Sequence, residues 1–424
     1  MTPGGRTIRG LQQPESPGST RAEPIRRAAL TYAVYFTAIG ASFAYLPVYY
    51  RDLGLGLATI GLLSAFSAGI QLVAAPLWGL LSDRYPRSRV GLPVAALVAA
   101  LGATLLALTT GSAALAVSVA VMSVGVAGIG PVLDARTLEL LGDQASRYGE
   151  IRAVGSLVFV IVALATGVLL DHAGTGALFL VYVPTLLGTA LAGSRIPRSR
   201  GRVKHAASRG VQAVVGTPGI PAFLGGTLLT WALISATNTF FSIQVIALGG
   251  TTQLVGLAWA VGAALEVPVM WGHRRLAARI GPGTVLLLGA AVYACRAALA
   301  AASPGAGMLV AFSPLEGLGY GLLFPASVGF IAARAPAGLA ATAQGVLSAT
   351  LGLSAIAGSA VGGVIAGSTS IGTLFAVAAV GGAAGAVLLA LAARAPVPTG
   401  AAAATGADGA PADALPGCPE EIHP

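Results

Sequence analysis

Apolar residues along this chain are gathered into twelve long segments that are separated by short polar stretches. The segments are centred near residues 39, 69, 100, 122, 160, 184, 232, 262, 291, 320, 352 and 382. Each is about 20 residues long, which is the length that a helix needs to cross a hydrocarbon layer about 30 Å thick. The pattern therefore predicts an all-α membrane protein with twelve transmembrane helices.

Composition supports membrane insertion. The chain of 424 residues is 55% hydrophobic and only 9% charged, whereas about 25% of the residues of a typical soluble domain are charged. Its net charge of +9 does not indicate a nucleic-acid partner, because the basic residues lie in short loops between apolar segments and do not alternate with aromatic residues. We therefore expect the lipid bilayer, and no nucleic acid, among its partners.

The two halves of the chain resemble each other. Pro76 and Pro131 in the first half recur as Pro268 and Pro325 in the second half, at offsets of 192 and 194 residues. A nearly constant offset indicates a duplication and predicts two pseudo-symmetric six-helix bundles. The expected divisions are a cytoplasmic N-terminal segment, a first bundle, a basic cytoplasmic linker, a second bundle and a disordered cytoplasmic tail, at residues 1–27, 28–194, 195–216, 217–394 and 395–424.

Arginine positions predict the orientation in the membrane. Basic residues occupy the N-terminal segment and the loops that follow every second apolar segment, with a dense group at 195–209. The loops on the other side contain Arg51 alone. Because positively charged loops stay in the cytoplasm, both termini are expected there, in a multi-pass protein of the cell membrane.

The loop between the second and third segments carries a distinctive motif. It reads GLLSDRYPRSR from Gly79 to Arg89. This motif resembles the loop signature G-x-L-x-D-R-x-x-R-x-R of the major facilitator superfamily, with Pro86 in place of the usual glycine. The resemblance implies two six-helix bundles that give alternating access to a central site.

Four residues of this loop are expected to act in gating and not in substrate binding: Gly79, Asp83, Arg84 and Arg87. Gly79 would permit close contact between helices. The carboxylate of Asp83 would face the positive end of a neighbouring helix.

Three ionisable residues lie at membrane depth in the second half. Arg296 is in the middle of the ninth segment, Glu266 in the eighth and Glu316 in the tenth. Because charge inside the hydrocarbon is costly, Arg296 is expected to pair with one of the two acids. Two acids and one base leave a net negative site that could hold a proton, so all three are candidates for proton coupling. The alternative is a static contact that holds these helices together.

Asp134 ends the fourth segment and Arg152 opens the fifth, eighteen positions later. From position alone, both could be side chains that reach the membrane interface. The run from Asp134 to Ser156 resembles the fourth-to-fifth helix segment of the lactose permease and phenylpropionate permease families, in which an acid and an arginine at this separation reach the substrate site. The resemblance implies substrate binding by Asp134 and Arg152. Asn238, in the seventh segment, is a further candidate to line the cavity.

The resemblance extends to the second half. Arg296 matches the ninth-helix arginine of the lactose permease family, and Glu316 stands where that family has its tenth-helix histidine of proton coupling. Glu266 lies about one turn from its eighth-helix acid. The identity of the substrate does not follow from this resemblance.

The low aromatic content of 6% disfavours a cavity walled by stacking rings.

These observations predict a secondary active transporter that imports a small organic solute by proton symport. The alternatives are a proton-driven drug or metabolite efflux antiporter of the same fold, and a non-transporting membrane receptor or scaffold. The fifth segment reads GSLVFVIVALATGVLL and lacks the signature G-x-x-x-G-P-x-x-G-G that is usual in efflux carriers. Charged residues kept at membrane depth argue against a receptor.

An enzyme is not expected from this sequence. It contains no recognisable nucleotide-binding loop and no nucleophile with a base at a plausible spacing, so ATP is not expected as the energy source. The expected partners are a small-molecule substrate and protons, with no cofactor and no metal. The functional unit is expected to be a monomer.

Overall fold

The computed structural model of the chain describes residues 19–84, 90–109, 111–141, 148–196 and 209–396. These residues form fifteen α-helices and one short 3-10 turn, without a strand. The helices are α1 (Ser19–Ser42), α2 (Leu46–Asp52), α3 (Leu57–Arg84), α4 (Gly91–Leu108), α5 (Ser112–Leu141), α6 (Tyr148–Ala173), α7 (Leu178–Ser194), α8 (Arg209–Val215), α9 (Ile220–Ala247), α10 (Thr252–Ile280), α11 (Pro282–Ala301), α12 (Ala306–Ala311), α13 (Pro314–Arg334), α14 (Ala340–Ser368) and α15 (Ile371–Arg394).

Twelve spans long and apolar enough to cross a membrane are built from these helices in the described ranges. The first span consists of α1 and α2, the tenth of α12 and α13, and the sixth of the 3-10 turn and α7, whereas every other span is a single helix. The short α8 lies outside the spans. The predicted all-α class and the predicted number of spans are therefore confirmed.

The helix boundaries differ from the predicted divisions in two places. α1 begins at Ser19, within the predicted N-terminal segment 1–27, and the first span is broken at residues 43–45. Pro47 lies in the first turn of α2, where its missing N–H favours a new helix start over a continuous helix. Residues 1–18, 197–208 and 397–424, which make up much of the predicted N-terminal segment, linker and tail, lie outside the described residues.

Two bundles result from the packing of these helices. In the first bundle α1 packs on α5, α6 and α7, while α3 and α4 pack on α5 and α4 also packs on α7; in the second bundle α9 packs with α10 to α15. Pro76 lies inside α3 and Pro268 inside α10, the second span of each half, while Pro131 and Pro325 lie inside α5 and α13, the fourth span of each half. The repeated prolines thus occupy matching spans, as a duplication requires.

Glycines bring the two bundles into contact at one end. We call the end where α1 begins and α15 ends the termini end, and the opposite end the far end. Near the far end α3 packs on α14, and a Cβ on Gly61 would lie 2.6 Å from the Cα of Gly363. Likewise α6 packs on α10, and a Cβ on Gly256 would lie 2.5 Å from the carbonyl oxygen of Ala163. Side chains larger than hydrogen would separate the bundles there.

A carboxylate of the first bundle caps a helix of the second at the far end. Asp171, near the end of α6, accepts hydrogen bonds from the backbone N–H of Thr252 (2.7 Å) and of Gln253 (3.2 Å), and from the hydroxyl of Thr252 (2.5 Å). These donors belong to the first turn of α10, whose N–H groups have no partner within the helix. We call this set of bonds the Asp171 clasp, because it ties one bundle to the other.

The same four helices diverge toward the termini end. Built at Gly79 in α3, Gly149 in α6, Gly272 in α10 or Gly345 in α14, a Cβ would meet nothing within 4 Å. In α10, every fully buried residue lies between Thr252 and Gly262. The bundles are therefore closed against each other at the far end and apart at the termini end. Among the described residues nothing lies within 4 Å of a Cβ built at Gly79, so the close helix contact expected there stays a prediction.

Asp171→Ala is expected to destabilise the closed far end by about 1 kcal/mol, which shifts the equilibrium between closed and open far ends roughly fivefold. The loss is modest because Asp171 is exposed and water replaces part of the hydrogen bonding that its carboxylate gives to α10. Double electron–electron resonance would measure distances between spin labels placed on the two bundles at this end, in a background without Cys295 and Cys418. The variant should show an additional population of longer distances.

Asp52→Ala is the matched control. Asp52 accepts a hydrogen bond of 2.8 Å from Thr175 at the same end, but both residues belong to the first bundle. Its loss should leave the distances unchanged, and equal effects of the two substitutions would contradict a specific role of the Asp171 clasp.

Candidate functional site

A cavity of about 730 Å³ lies between the two bundles. Residues from both bundles line it, including α1, α3, α5 and α6 on one side and α9, α10, α13 and α14 on the other. This volume is within the range of about 300–1,000 Å³ that is usual for small-molecule sites. The cavity is the place where both bundles could contact one solute at the same time.

Aromatic residues are concentrated at this cavity. Nine of its lining residues are aromatic: Tyr35, Phe36, Phe43, Tyr50, Phe159, Tyr182, Trp231, Trp259 and Tyr320. The expectation drawn from the 6% aromatic content of the chain was therefore wrong. A whole-chain average does not report on a site that collects a large share of a scarce residue type.

The ion pair expected for Arg296 is present, and its acid is Glu316. A guanidinium nitrogen of Arg296 lies 2.9 Å from Oε2 of Glu316, and the two side chains are only 6% and 13% exposed. The guanidinium also lies over the ring of Phe241, 5.0 Å from its centroid. Arg296 is thus neutralised by a side chain from another helix, as burial of a charge requires.

Neutral donors complete the surroundings of Glu316. Its Oε1 accepts hydrogen bonds from the Asn238 amide at 2.9 Å and from the Tyr293 hydroxyl at 3.1 Å. The amide oxygen of Asn238 in turn accepts a bond of 3.1 Å from Arg296. Asn238 therefore joins both members of the ion pair. Sequence reasoning missed Tyr293, which lies one turn before Arg296 on α11 and on the same helix face.

Glu266 has a different environment. Its side chain lines the cavity, and no hydrogen bond or ion pair holds it within the described part of the chain. The charges that act on it are those of Arg152, from the other bundle, and of Glu316. Arg152 also lines the cavity, where its guanidinium lies 5.5 Å from the centroid of the Phe36 ring. Opposite charges from the two bundles thus face the same space.

Asp134 is not among the residues that line this cavity. Its carboxylate accepts a hydrogen bond from the hydroxyl of Tyr32, which is buried on α1. The structure therefore places Arg152 at the cavity and directs Asp134 to a contact between α5 and α1. Sequence separation does not determine the direction of a side chain around its helix axis.

The predicted gating residues lie away from the cavity where they are described. Gly79 is inside α3, and Arg84 ends that helix with an exposed side chain. Arg87 and the side chain of Asp83 lie outside the described residues.

Uncharged polar groups form a further part of the lining that sequence reasoning missed. On α3, the amide nitrogen of Gln71 donates to the hydroxyl of Ser67 at 3.1 Å, and this hydroxyl lies 2.7 Å from that of Ser123 on α5. On the second bundle, Ser235 and Thr239 line the cavity. Serine and threonine are common in packed membrane helices, so their sequence positions carried no signal for a site.

Comparison with known proteins gives consistent results. Residues 25–377 match the model of the MFS_1 like family. The chain is 33% identical to the maltose permease of Geobacillus stearothermophilus over 350 residues, which cover 82% of this chain and 89% of that protein. It is 23% identical over 319 residues to the uncharacterized transporter YwbF of Bacillus subtilis (strain 168), covering 74% of this chain and 79% of that one.

Solved structures agree with the fold. The crystal structure of the nucleoside transporter NupG has a TM-score of 0.77 with this chain at 15% identity, and the match covers 88% of this chain and 99% of that one. The POT family transporter PepTSo has a TM-score of 0.72 at 11% identity, with coverage of 90% and 98%. At these identities the likeness concerns the fold alone.

Arg296→Gln is expected to lower the free energy of unfolding by about 3 kcal/mol, because it leaves the Glu316 carboxylate buried without its counter-charge. The double variant Arg296→Gln/Glu316→Gln should regain part of this loss, since no charge remains. Thermal unfolding of the purified protein in detergent measures both.

Arg152→Gln is the control, because the side chain of Arg152 has no ion pair within 4 Å among the described residues. It should change stability by no more than about 0.5 kcal/mol. A double variant that is as unstable as the sum of its two single variants would show that the pair does not act as a unit.

Proposed function

We propose that this chain imports a sugar by proton symport. It belongs to the MFS_1 like family and is therefore a major facilitator superfamily transporter. A secondary transporter moves a small solute without enzymatic chemistry. The observation that carries the proposal is the cavity between the bundles, closed at the far end and open at the termini end. A cavity with access from one side only is what alternating access requires.

Orientation of the open end follows from the positive charges. The termini end carries the basic loops, which favour the cytoplasm. We therefore assign the open end to the cytoplasm, so that the conformation is inward-open and the Asp171 clasp closes the external side. In a cell membrane this is the state from which an imported solute leaves the carrier.

The proposed substrate class rests on two supports. One is the maltose permease at 33% identity. The other is the cavity wall, which combines nine aromatic rings with hydroxyl and amide groups such as those of Gln71, Ser235 and Thr239. A sugar presents hydroxyls at its edges and apolar C–H groups on its faces, and these match polar side chains and aromatic rings.

Proton coupling is assigned to Glu266. Glu316 is engaged by Arg296, Asn238 and Tyr293, so its charge is stabilised in place. Glu266 faces the cavity without a direct partner among the described residues. Its side chain is half-buried, and a carboxylate that is unpaired and partly withdrawn from water loses its desolvation cost when it takes up a proton. The contact with Arg296 then keeps the Glu316 carboxylate ionised in its place, and Glu266 is the acid that gains and loses the proton.

Arg152 provides a reason why solute and proton move together. It lies on α6 and Glu266 on α10, and these helices belong to different bundles that are joined at the far end. A sugar bound between them would accept hydrogen bonds from the guanidinium and weaken its attraction for Glu266. Protonation of Glu266 then becomes favourable when solute is present, which links the two binding events.

Glu266→Gln is expected to abolish proton movement while solute exchange continues, because the amide can neither release nor take up a proton. The protein would be reconstituted in liposomes that contain a pH dye, and maltose, glucose, nucleosides and aromatic acids would be added in turn. Wild type should acidify the liposome interior when a sugar is added outside, and Glu266→Gln should show at least a tenfold loss of this signal with exchange of labelled sugar retained.

Glu150→Gln is the control, since Glu150 is exposed in the first turn of α6 and should leave proton movement unchanged. Transport of a sugar without proton movement in the wild type would contradict symport. Proton movement opposite to that of the solute would identify an antiporter, and the absence of any transported sugar would refute the substrate class.

A further inference from the structure

We propose that Gln71, held in place by Ser67, binds a pair of adjacent hydroxyl groups of the solute and so determines which neutral sugars are accepted. This inference rests on the proposed function and deepens it. It assigns a binding subsite on the α3 wall of the cavity, away from the charged residues.

The subsite is anchored in the first bundle. Ser123 on α5 is 1% exposed, and its hydroxyl pairs with that of Ser67 at 2.7 Å. Ser67 in turn accepts the bond of 3.1 Å from the Gln71 amide nitrogen. Because the chain of bonds begins at a buried hydroxyl, the amide at its end has a fixed position at the cavity surface.

The remaining hydrogen-bonding capacity of Gln71 is available to a ligand. A primary amide offers two N–H donors and an oxygen acceptor. Only one donor is used, and no described residue donates to the oxygen of Gln71. A ligand that displaces water from these unused groups must replace their hydrogen bonds, so they favour a polar ligand. Two neighbouring hydroxyls fit them, since one can donate to the amide oxygen while the other accepts the second N–H.

The described residues of α3 and α5 that line this wall are all uncharged. These are Leu63, Ser64, Ser67, Ala68, Gln71, Met122, Ser123 and Val126. The charged lining residues lie on α6, α10 and α13. An ionised group of a solute would find no counter-charge beside Gln71, whereas a hydroxyl pays no such desolvation cost.

A packing role accounts for the serines but not for Gln71. The bond between Ser67 and Ser123 joins α3 to α5, as polar groups commonly do between membrane helices. The bond between Gln71 and Ser67 connects two residues one turn apart on the same helix. It adds nothing to the association of α3 with α5, so the half-buried amide at the cavity requires another reason.

The experiment compares binding of maltose and of its series of monodeoxy derivatives to purified wild type, Gln71→Ala and Ser67→Ala, by isothermal titration calorimetry. Wild type should bind maltose about tenfold more tightly than each of two derivatives, one lacking the first and the other lacking the second of two neighbouring hydroxyls. Gln71→Ala should weaken maltose binding about tenfold and should bind these two derivatives as tightly as maltose. Ser67→Ala should show a smaller effect in the same direction.

Gln344→Ala is the matched control, because Gln344 donates to the backbone of Val328 and does not line the cavity; it should keep the preference of the wild type. Equal discrimination by wild type and Gln71→Ala would overturn the assignment even though maltose is bound. If wild type binds neither maltose nor any other sugar of the transport assay, the proposed function fails, and this inference fails with it. Thermal unfolding of each variant verifies that the fold is retained.

Discussion

Charge inside a membrane must be neutralised, and the second bundle of this protein is organised around that requirement at Arg296. Glu316 supplies the counter-charge at 2.9 Å, and Asn238 bonds to both partners. These contacts connect α9, α11 and α13 at one point. Because Glu316 belongs to this network, Glu266 is the acid at the cavity that has no direct partner among the described residues, and we therefore propose a structural role for Glu316 and proton coupling for Glu266.

The position of these acids depends in turn on glycine packing. A Cβ on Gly317, next to Glu316, would lie 1.9 Å from the carbonyl oxygen of Gly262, one turn before Glu266. α10 and α13 can therefore approach closely only because this position lacks a side chain. This close contact places Glu266 and Glu316 on adjoining helices that both line the cavity.

Sequence alone predicted the spans, the two halves and the pairing of Arg296, because hydropathy, repeat offset and the cost of buried charge are properties of the chain itself. It did not predict that Asp134 turns to Tyr32, nor the bonds that join Gln71 to Ser67 and Ser123. Those depend on rotation about helix axes, which apolar segments of mixed Gly, Ala and Ser do not encode. The open space at Gly79 depends on which end of the cavity is open, a property of the conformation and not of the sequence.

The Asp171 clasp makes the backbone of α10 a participant in the conformational cycle. The N–H groups of Thr252 and Gln253 are covered by a carboxylate of the other bundle only while the far end is closed. When the bundles separate there, these two amides meet water and their hydrogens become free to exchange. Their exchange with deuterium would then report how often the carrier opens at this end. The first turn of α10 is thus an intrinsic probe of opening at the far end that needs no attached label.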